Sequence, residues 1–262
     1  MRLVLPLRHK QNWTLLFENF SGYPDGISLR AFSLLASVST FVYDVGMNAG
    51  LYLYHGVASA PTGAVVVGFE PNQRLASLVR SNLSANGLTN VRVESLCCSD
   101  RDGWARFFIT NTDHMSTLES GFLAASGRPI LGNETIETVA LDTYVRDRNL
   151  GMDLAKIDVE GHEEKVLAGA WQSIALWHPS LIVEITDMDR GGQLAERLFA
   201  LKYRCFYCCG EELTTIENPG ELVRLRREGD INYLFVWRDE HLKALGDLPS
   251  RTRLRRKRTA VE

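Results

Sequence analysis

The stretch "FVYDVGMNAG", residues 41–50, decides the fold. Three apolar residues run into an acid, Asp44, then a glycine turn, then the start of a helical pattern. A buried parallel strand of an open α/β sheet hands the chain to a helix in this way. The dinucleotide fingerprint spaces its glycines as G-x-G-x-x-G, and Asn48 stands where the middle glycine belongs. That glycine lets a pyrophosphate approach the helix N-terminus, so Asn48 argues against an NAD-linked oxidoreductase.

Outward from this turn the same unit recurs. "GAVVVGFE" precedes the helical pattern "NQRLASLVRSNLSAN", closed by Gly87, and "NVRVESLCC" reads as a third strand. "DLAKIDV" precedes the helix of "HEEKVLAGAWQSIAL", and "SLIVEIT" precedes "QLAERLFAL". Short apolar runs separated by amphipathic helices predict βαβ units and a parallel sheet. "YRCFYCC" and "INYLFVW", with no helical pattern between them, predict an antiparallel pair. "GWARFFI" and "ETVAL" read as short strands flanking an irregular insert, residues 111–133, with the character of a lid or a surface loop. The predicted architecture is α/β: a doubly wound, mostly parallel, seven-stranded Rossmann-like sheet with an antiparallel terminal strand. The predicted division is a helical cap over 1–40, a main domain over 41–240, and a basic tail over 241–262.

Composition agrees with one main domain: 262 residues, 45% hydrophobic, net charge −3. No apolar run is long enough to span a bilayer, and "MRLVLPLRHK" lacks the pattern of a secretory signal. Five cysteines without a disulfide-like spacing predict free thiols in a reducing, cytoplasmic setting. The run "RTRLRRKR", residues 251–258, repels itself and predicts a solvated, disordered tail.

Ligands of such sheets bind at the carboxyl ends of the strands. Four of those ends carry acids: Asp44, Glu70, Asp158 and Glu184. Gly46 and Gly50 bracket the first turn, Gly46 clearing space for close approach and Gly50 for helix packing. Asp44 places negative charge beside the turn, which suits a cation and opposes a phosphate. A ligand with a positive ammonium or sulfonium group and no phosphate fits better, and S-adenosylmethionine is the obvious candidate. Glu70 suits the two hydroxyls of a ribose. Asp100, just past the third strand, is a candidate for the adenine edge. Their structural alternatives are a turn cap for Asp44, an ordinary loop acid for Glu70, and the turn residue of "SDRDG" for Asp100.

The stretches "YDVGMNAG", "FEPNQRLASLVRSNLSANGLTNV", "TVALDTYV", "LAKIDVEGHEEKVLAGA" and "LIVEI", spread over roughly residues 41–186, resemble the FkbM-type methyltransferases. Met47 falls where that family often has alanine. The resemblance implies a class I S-adenosylmethionine-dependent enzyme that methylates hydroxyls of sugars or polyketide natural products. By position it implies that Asp44, Gly46, Asn48, Gly50 and Glu70 hold the cofactor, and that Asp158, Glu160 and Glu163 form the acidic motif at the fourth strand.

Methyl transfer to a hydroxyl needs an aligned oxygen and an acceptor for its proton. Asp158 is the candidate positioning residue or base and Glu160 its partner, since close carboxylates raise one another's pKa. Glu163 and Glu164 also suit a helix N-terminus for its dipole alone. His162 is an alternative base whose position more often faces solvent, and Lys156 reads as a structural partner of Asp158. Asp158, Glu160 and Glu184 form an alternative oxygen set for a divalent cation such as magnesium, while the preferred reading assigns no metal. "CFYCC" lacks a second ligand pair for zinc. His114, Ser116 and Thr117 sit in the insert, and His55 and His178 read as structural. The function expected is O-methylation of a small-molecule or glycan hydroxyl. The rivals are a nucleic-acid methyltransferase using the basic tail, opposed by the absence of a D/N-P-P-Y/F or Pro-Cys motif, and a catalytically degenerate cofactor-binding module.

Overall fold

The computed structural model describes residues 26–110, 116–127, 129–225 and 231–251. Helix α1 (Gly26–Ala36) leads into β1 (Phe41–Val45), α2 (Leu51–Ser59), β2 (Val65–Phe69), α3 (Gln73–Ala85) and β3 (Val91–Glu94). Then follow β4 (Cys97–Cys98), β5 (Gly103–Thr110), α4 (Ser120–Ser126), β6 (Ile130–Val139), α5 (Leu141–Asp147) and β7 (Leu154–Ile157). Helices α6 (Glu163–Ala168) and α7 (Trp171–Trp177) precede β8 (Ser180–Glu184), α8 (Met188–Ala200), β9 (Arg204–Cys209) and β10 (Glu212–Ile216). The chain continues through α9 (Pro219–Leu225), β11 (Asn232–Val236), α10 (Asp239–Ala244) and β12 (Ser250–Arg251).

The main sheet has nine strands in the order β12-β10-β9-β11-β8-β7-β1-β2-β3. Its contiguous part from β3 to β9 contains the seven strands expected, with β11 antiparallel to both β8 and β9. The expectation that no helix separates β9 from β11 is corrected: α9 intervenes together with β10, and β10 and β12 extend the edge. The first three strands run outward from β1 on one side and β7 and β8 on the other, so the order reverses between β1 and β7. That reversal opens the crevice where such sheets bind ligands.

Helices cover both faces. Phe32 and Leu35 of α1, Leu53 of α2 and Val79 of α3 bury against Val42, Val66, Leu154 and Ile182. Tyr144 of α5, Val166 of α6, Ile174 of α7 and Leu198 of α8 bury against Tyr43, Val67, Ala155 and Val183. The period of two along each strand therefore assigns Asp44, Lys156 and Glu184 to the α1–α2–α3 face. Register places Asp44 beside Lys156 and Lys156 beside Ile182.

Three further boundaries differ from expectation. "NVRVESLCC" is split: β3 stays in the main sheet while β4 pairs with β6 in a second, three-stranded sheet with β5. The helix expected over "HEEKVLAGAWQSIAL" is broken at Gly169 and Ala170, and Gly169 packs so close to the carbonyl oxygen of Ser99 that any side chain there would collide with it. Asp142 caps the second piece, accepting from the amides of Ser173 at 2.7 Å and Gln172 at 3.0 Å. Ordered elements also lie past the boundary set at 240: α10 docks by His241, which is fully buried, and β12 follows it. Residues 252–262 and most of the expected cap, 1–25, lie outside the described residues.

His241 bonds Ser180 Oγ at 2.7 Å through Nδ1 and Ser39 Oγ at 3.2 Å through Nε2. Burial lowers its pKa from 6.5 to about 4, so the folded imidazole stays neutral where the unfolded one is charged. The unfolded chain then binds the extra proton, and stability falls as pH drops from 6.5 towards 4. We expect this site to contribute up to about 3 kcal/mol of that loss. Chemical denaturation at pH 7 and pH 4.5 checks it: His241→Gln should show a smaller difference between the two pH values than the wild type.

Candidate active site

The crevice at the β1/β7 reversal is a cavity of about 450 Å³. Its wall includes Asp44, Gly46, Asn48, Glu70, Asp158 and Glu160, six of the eight residues proposed from sequence for cofactor or catalysis. Gly50, off the wall at the head of α2, has φ of +89°, and a Cβ there would crowd the Tyr54 ring and Val79.

The first turn is built by close backbone approach. Gly46 has φ of +80°, and a Cβ there would collide with the carbonyl oxygen of Asp158. Its absent side chain thus admits neighbouring backbone, which brings the ends of β1 and β7 together. The amides of Gly46 and Met47 both donate to Phe69 O at 3.0 Å, tying the turn to the end of β2. Glu70 continues that tie: Oε2 accepts from Asn48 N at 2.9 Å and Oε1 from Asn72 N at 2.8 Å. Asn48 itself has a left-handed φ of +51° and bonds its own neighbour, Ala49 N, at 2.7 Å.

Asp44 is 2% exposed, and its buried Oδ2 has no hydrogen-bond partner among the described residues. Burial pushes its pKa up to about 7, with Lys156 opposing the rise and Asp158 adding to it. Glu70 is pushed up to about 7, chiefly by burial against the pull of its two backbone bonds.

On the neighbouring strand beside Asp44, Lys156 is 1% exposed and donates to Asp158 Oδ2 at 3.0 Å, with its Nζ 5.1 Å from the centre of the Tyr52 ring. Lys156 is the structural partner expected, and it also lines the cavity. Carboxylate oxygens of Asp158, Glu160 and Glu184 come within 4.8 Å of one another. Burial, then the charges of Asp158 and Glu160, push Glu184 well above the usual carboxylate range. Glu160 takes a left-handed φ of +55°, with Gly161 following at +92°. Glu163 secures this loop, its Oε1 accepting from Val159 N and Gly161 N at 3.1 Å. Its carboxylate shapes the loop as well as suiting the helix dipole.

His162 departs from the solvent-facing position expected. It is 2% exposed, with Nε2 3.0 Å from Ser99 Oγ and Nδ1 2.8 Å from Glu119 Oε1. Burial lowers its pKa despite the Glu119 carboxylate, so the ring tends to neutrality. Thr117 Oγ1 donates to Glu160 O at 2.9 Å, and with Ser116 and Leu118 it gives the insert a wall of the cavity. His114 lies outside the described residues. His55, expected without a partner, meets Ser33 Oγ at 3.0 Å, and His178 stacks on Trp237.

Asp100 is not brought to this site. It is exposed, accepts from Ser99 Oγ at 3.0 Å, and is absent from the cavity wall. The chain leaves the main sheet after Glu94, so Leu96, Cys97 and Cys98 face the cavity instead. Burial pushes the Cys97 thiol up to about 12, and all five cysteines are free.

No helix among the described residues is long and apolar enough to cross a membrane. No curated protein shows significant similarity to the chain. Among solved structures it is similar to a methyltransferase FkbM from Methylobacillus flagellatus, 16% identical, TM-score 0.48, covering 86% of this chain and 52% of that one. It is also similar to a SAM-dependent O-methyltransferase from Thermotoga maritima, 13% identical, TM-score 0.44, covering 87% and 71%. The chain thus spans about half the length of the Methylobacillus protein. The family profile of the methyltransferase FkbM domain matches residues 44–207, from the acid at the end of β1 through the acidic loop after β7 and into β9. With that match covering the glycine turn, Glu70 and the acidic loop, the chain belongs to the FkbM methyltransferase family.

Proposed function

We propose that this protein transfers a methyl group from S-adenosylmethionine to a hydroxyl of a carbohydrate or secondary metabolite. The observation that carries the reading is the buried, unpartnered Asp44 Oδ2 beside a glycine turn in which Asn48 stands at the middle position. That end of the cavity fits a cationic nucleoside and repels a pyrophosphate. When bound, the cofactor supplies a methyl carbon that its sulfonium activates for in-line displacement. Asp44, with the backbone freed by Gly46 and Gly50, holds the cationic end, and Glu70 accepts from the ribose hydroxyls.

The chain's remaining work is on the acceptor. Asp158 and Glu160, on the wall near Lys156, orient the hydroxyl and take its proton as the oxygen–carbon bond forms and the sulfur–carbon bond breaks. Lys156 holds Asp158 in place through its 3.0 Å bond. A positioned base is worth about 10²- to 10⁴-fold in rate. Incubation with methyl-labelled cofactor and a panel of hydroxylated sugars and polyketides tests the reading. Label should pass to an oxygen, and Asp158→Asn should reduce that transfer at least about 100-fold.

Cofactor binding should also be pH-dependent. Asp44, at about 7 without ligand, is half protonated near neutrality, while a bound cation favours its carboxylate. Binding therefore releases protons, and affinity rises with pH. We expect about a tenfold tighter affinity at pH 8 than at pH 6 from one such group. Calorimetry in buffers of different ionisation enthalpy reads the released protons directly.

A further inference from the structure

We propose that Thr117, on the insert, is a positioning residue for the Asp158–Glu160 pair: its hydroxyl fixes the Glu160–Gly161 peptide and so the direction in which the Glu160 carboxylate enters the cavity. Glu160 takes a left-handed φ of +55°, and Gly161 follows at +92°. A residue with a side chain rarely adopts that conformation, and it persists where the surroundings impose it. Here both ends of the peptide are held. The Glu160 carbonyl accepts from Thr117 Oγ1 at 2.9 Å, and the Gly161 amide donates to Glu163 Oε1 at 3.1 Å. Glu163 is local to the loop, whereas Thr117 stands 43 residues earlier in the chain.

The hydroxyl is aimed as well as near. Thr117 is 1% exposed, and its Oγ1 accepts from the Glu119 amide at 3.1 Å. That bond leaves the single hydroxyl proton to point at Glu160 O, with Val159 O farther off at 3.4 Å. The threonine's backbone is fixed to the second sheet: Phe108 N donates to Thr117 O at 2.9 Å, and Thr117 N to Phe108 O at 3.2 Å. Two residues on, Glu119 Oε1 meets His162 Nδ1 at 2.8 Å, and His162 Nε2 meets Ser99 Oγ at 3.0 Å. Both ring nitrogens are thereby engaged, so His162 ties the insert to the loop rather than serving as the base. The consequence falls on the carboxylates. Oxygens of Asp158, Glu160 and Glu184 lie within 4.8 Å of one another, and the Glu160 charge helps to raise the Glu184 pKa. Without the Thr117 hydroxyl the Glu160 backbone can relax, and its carboxylate moves away from the other two.

The effect on transfer rests on the methyl-transfer reading; the clamp itself does not. The test is NMR of the full-length, ligand-free chain with isotope-labelled glutamate carboxyls, titrated with pH, Glu184 being assigned from Glu184→Gln. Glu160→Gln should lower the Glu184 midpoint, because it removes a charge that raises it. We expect Thr117→Val, of like shape without the hydroxyl, to lower it too, and Thr117→Ser to restore the wild-type value. A merely structural threonine would alter the melting curve and leave this titration in place. Folded Thr117→Val that titrates as the wild type does overturns the proposal. Should that variant fail to fold, the wild type decides: the Thr117 hydroxyl proton should be protected from solvent exchange and give its own resonance, and its absence overturns the proposal. With labelled cofactor and an acceptor, Thr117→Val should lose up to about 100-fold in transfer rate at unchanged affinity for S-adenosylmethionine. A titration shift in a chain that binds no S-adenosylmethionine leaves the clamp standing and sinks the methyl-transfer reading. Transfer by a wild type whose Thr117→Val variant shows no shift sinks the clamp alone.

Discussion

Gly46→Ala should leave the protein largely unable to keep its native structure. The substitution places a methyl group against the carbonyl oxygen of Asp158, which is backbone and cannot swing aside. It also forces a side chain into φ of +80°. Relief requires the ends of β1 and β7 to part, breaking the hydrogen bond that the Asp158 amide donates to Val45 O and the cavity with it. We expect a loss of about 4 kcal/mol or more, lowering the thermal midpoint by about 10 °C or more. Gly63→Ala is the comparison: its φ is +89°, but nothing lies within 4 Å of the new methyl group. Only the backbone term applies there, about 1–2 kcal/mol. Equal effects in thermal melts of the two variants would remove the argument from close approach.

Asp44→Ala should weaken S-adenosylmethionine binding by about 100-fold, the scale for removing one partner of a buried charge pair. Without ligand the sign reverses for stability. The folded carboxyl has its pKa raised to about 7, so above that pH its buried charge destabilises the protein. The ligand-free variant should therefore be no less stable than the wild type at pH 8. Lost affinity together with retained stability distinguishes a binding group from a turn cap, whose removal would lower both. Calorimetry and melting curves on one preparation give the two quantities.

Much of this site was legible in the chain. Period-two strands ending in acids place Asp44, Lys156 and Glu184 on one face once the sheet is assumed parallel. The break after Glu94 was hidden because "SLCC" continues the apolar run, and only pairing with β6 takes Cys97 and Cys98 into another sheet. The interruption at Gly169 depends on Ser99 O, seventy residues earlier in the chain, so no local pattern records it. His162 is buried because Glu119, on the insert, reaches its ring. Such an interaction between distant segments leaves a residue type in the sequence but no direction for its side chain. The same break separates Asp100 from the end of β3, and the residue lies exposed and off the cavity wall.

The central claim is that the turn at residues 44–50 binds S-adenosylmethionine, and isothermal titration of the full-length chain tests it most directly. The account predicts micromolar binding of S-adenosylmethionine and S-adenosylhomocysteine, about 100-fold weaker in Asp44→Ala and weakened in Glu70→Ala. Folded wild type that binds neither nucleoside but takes up NAD or NADP would contradict it.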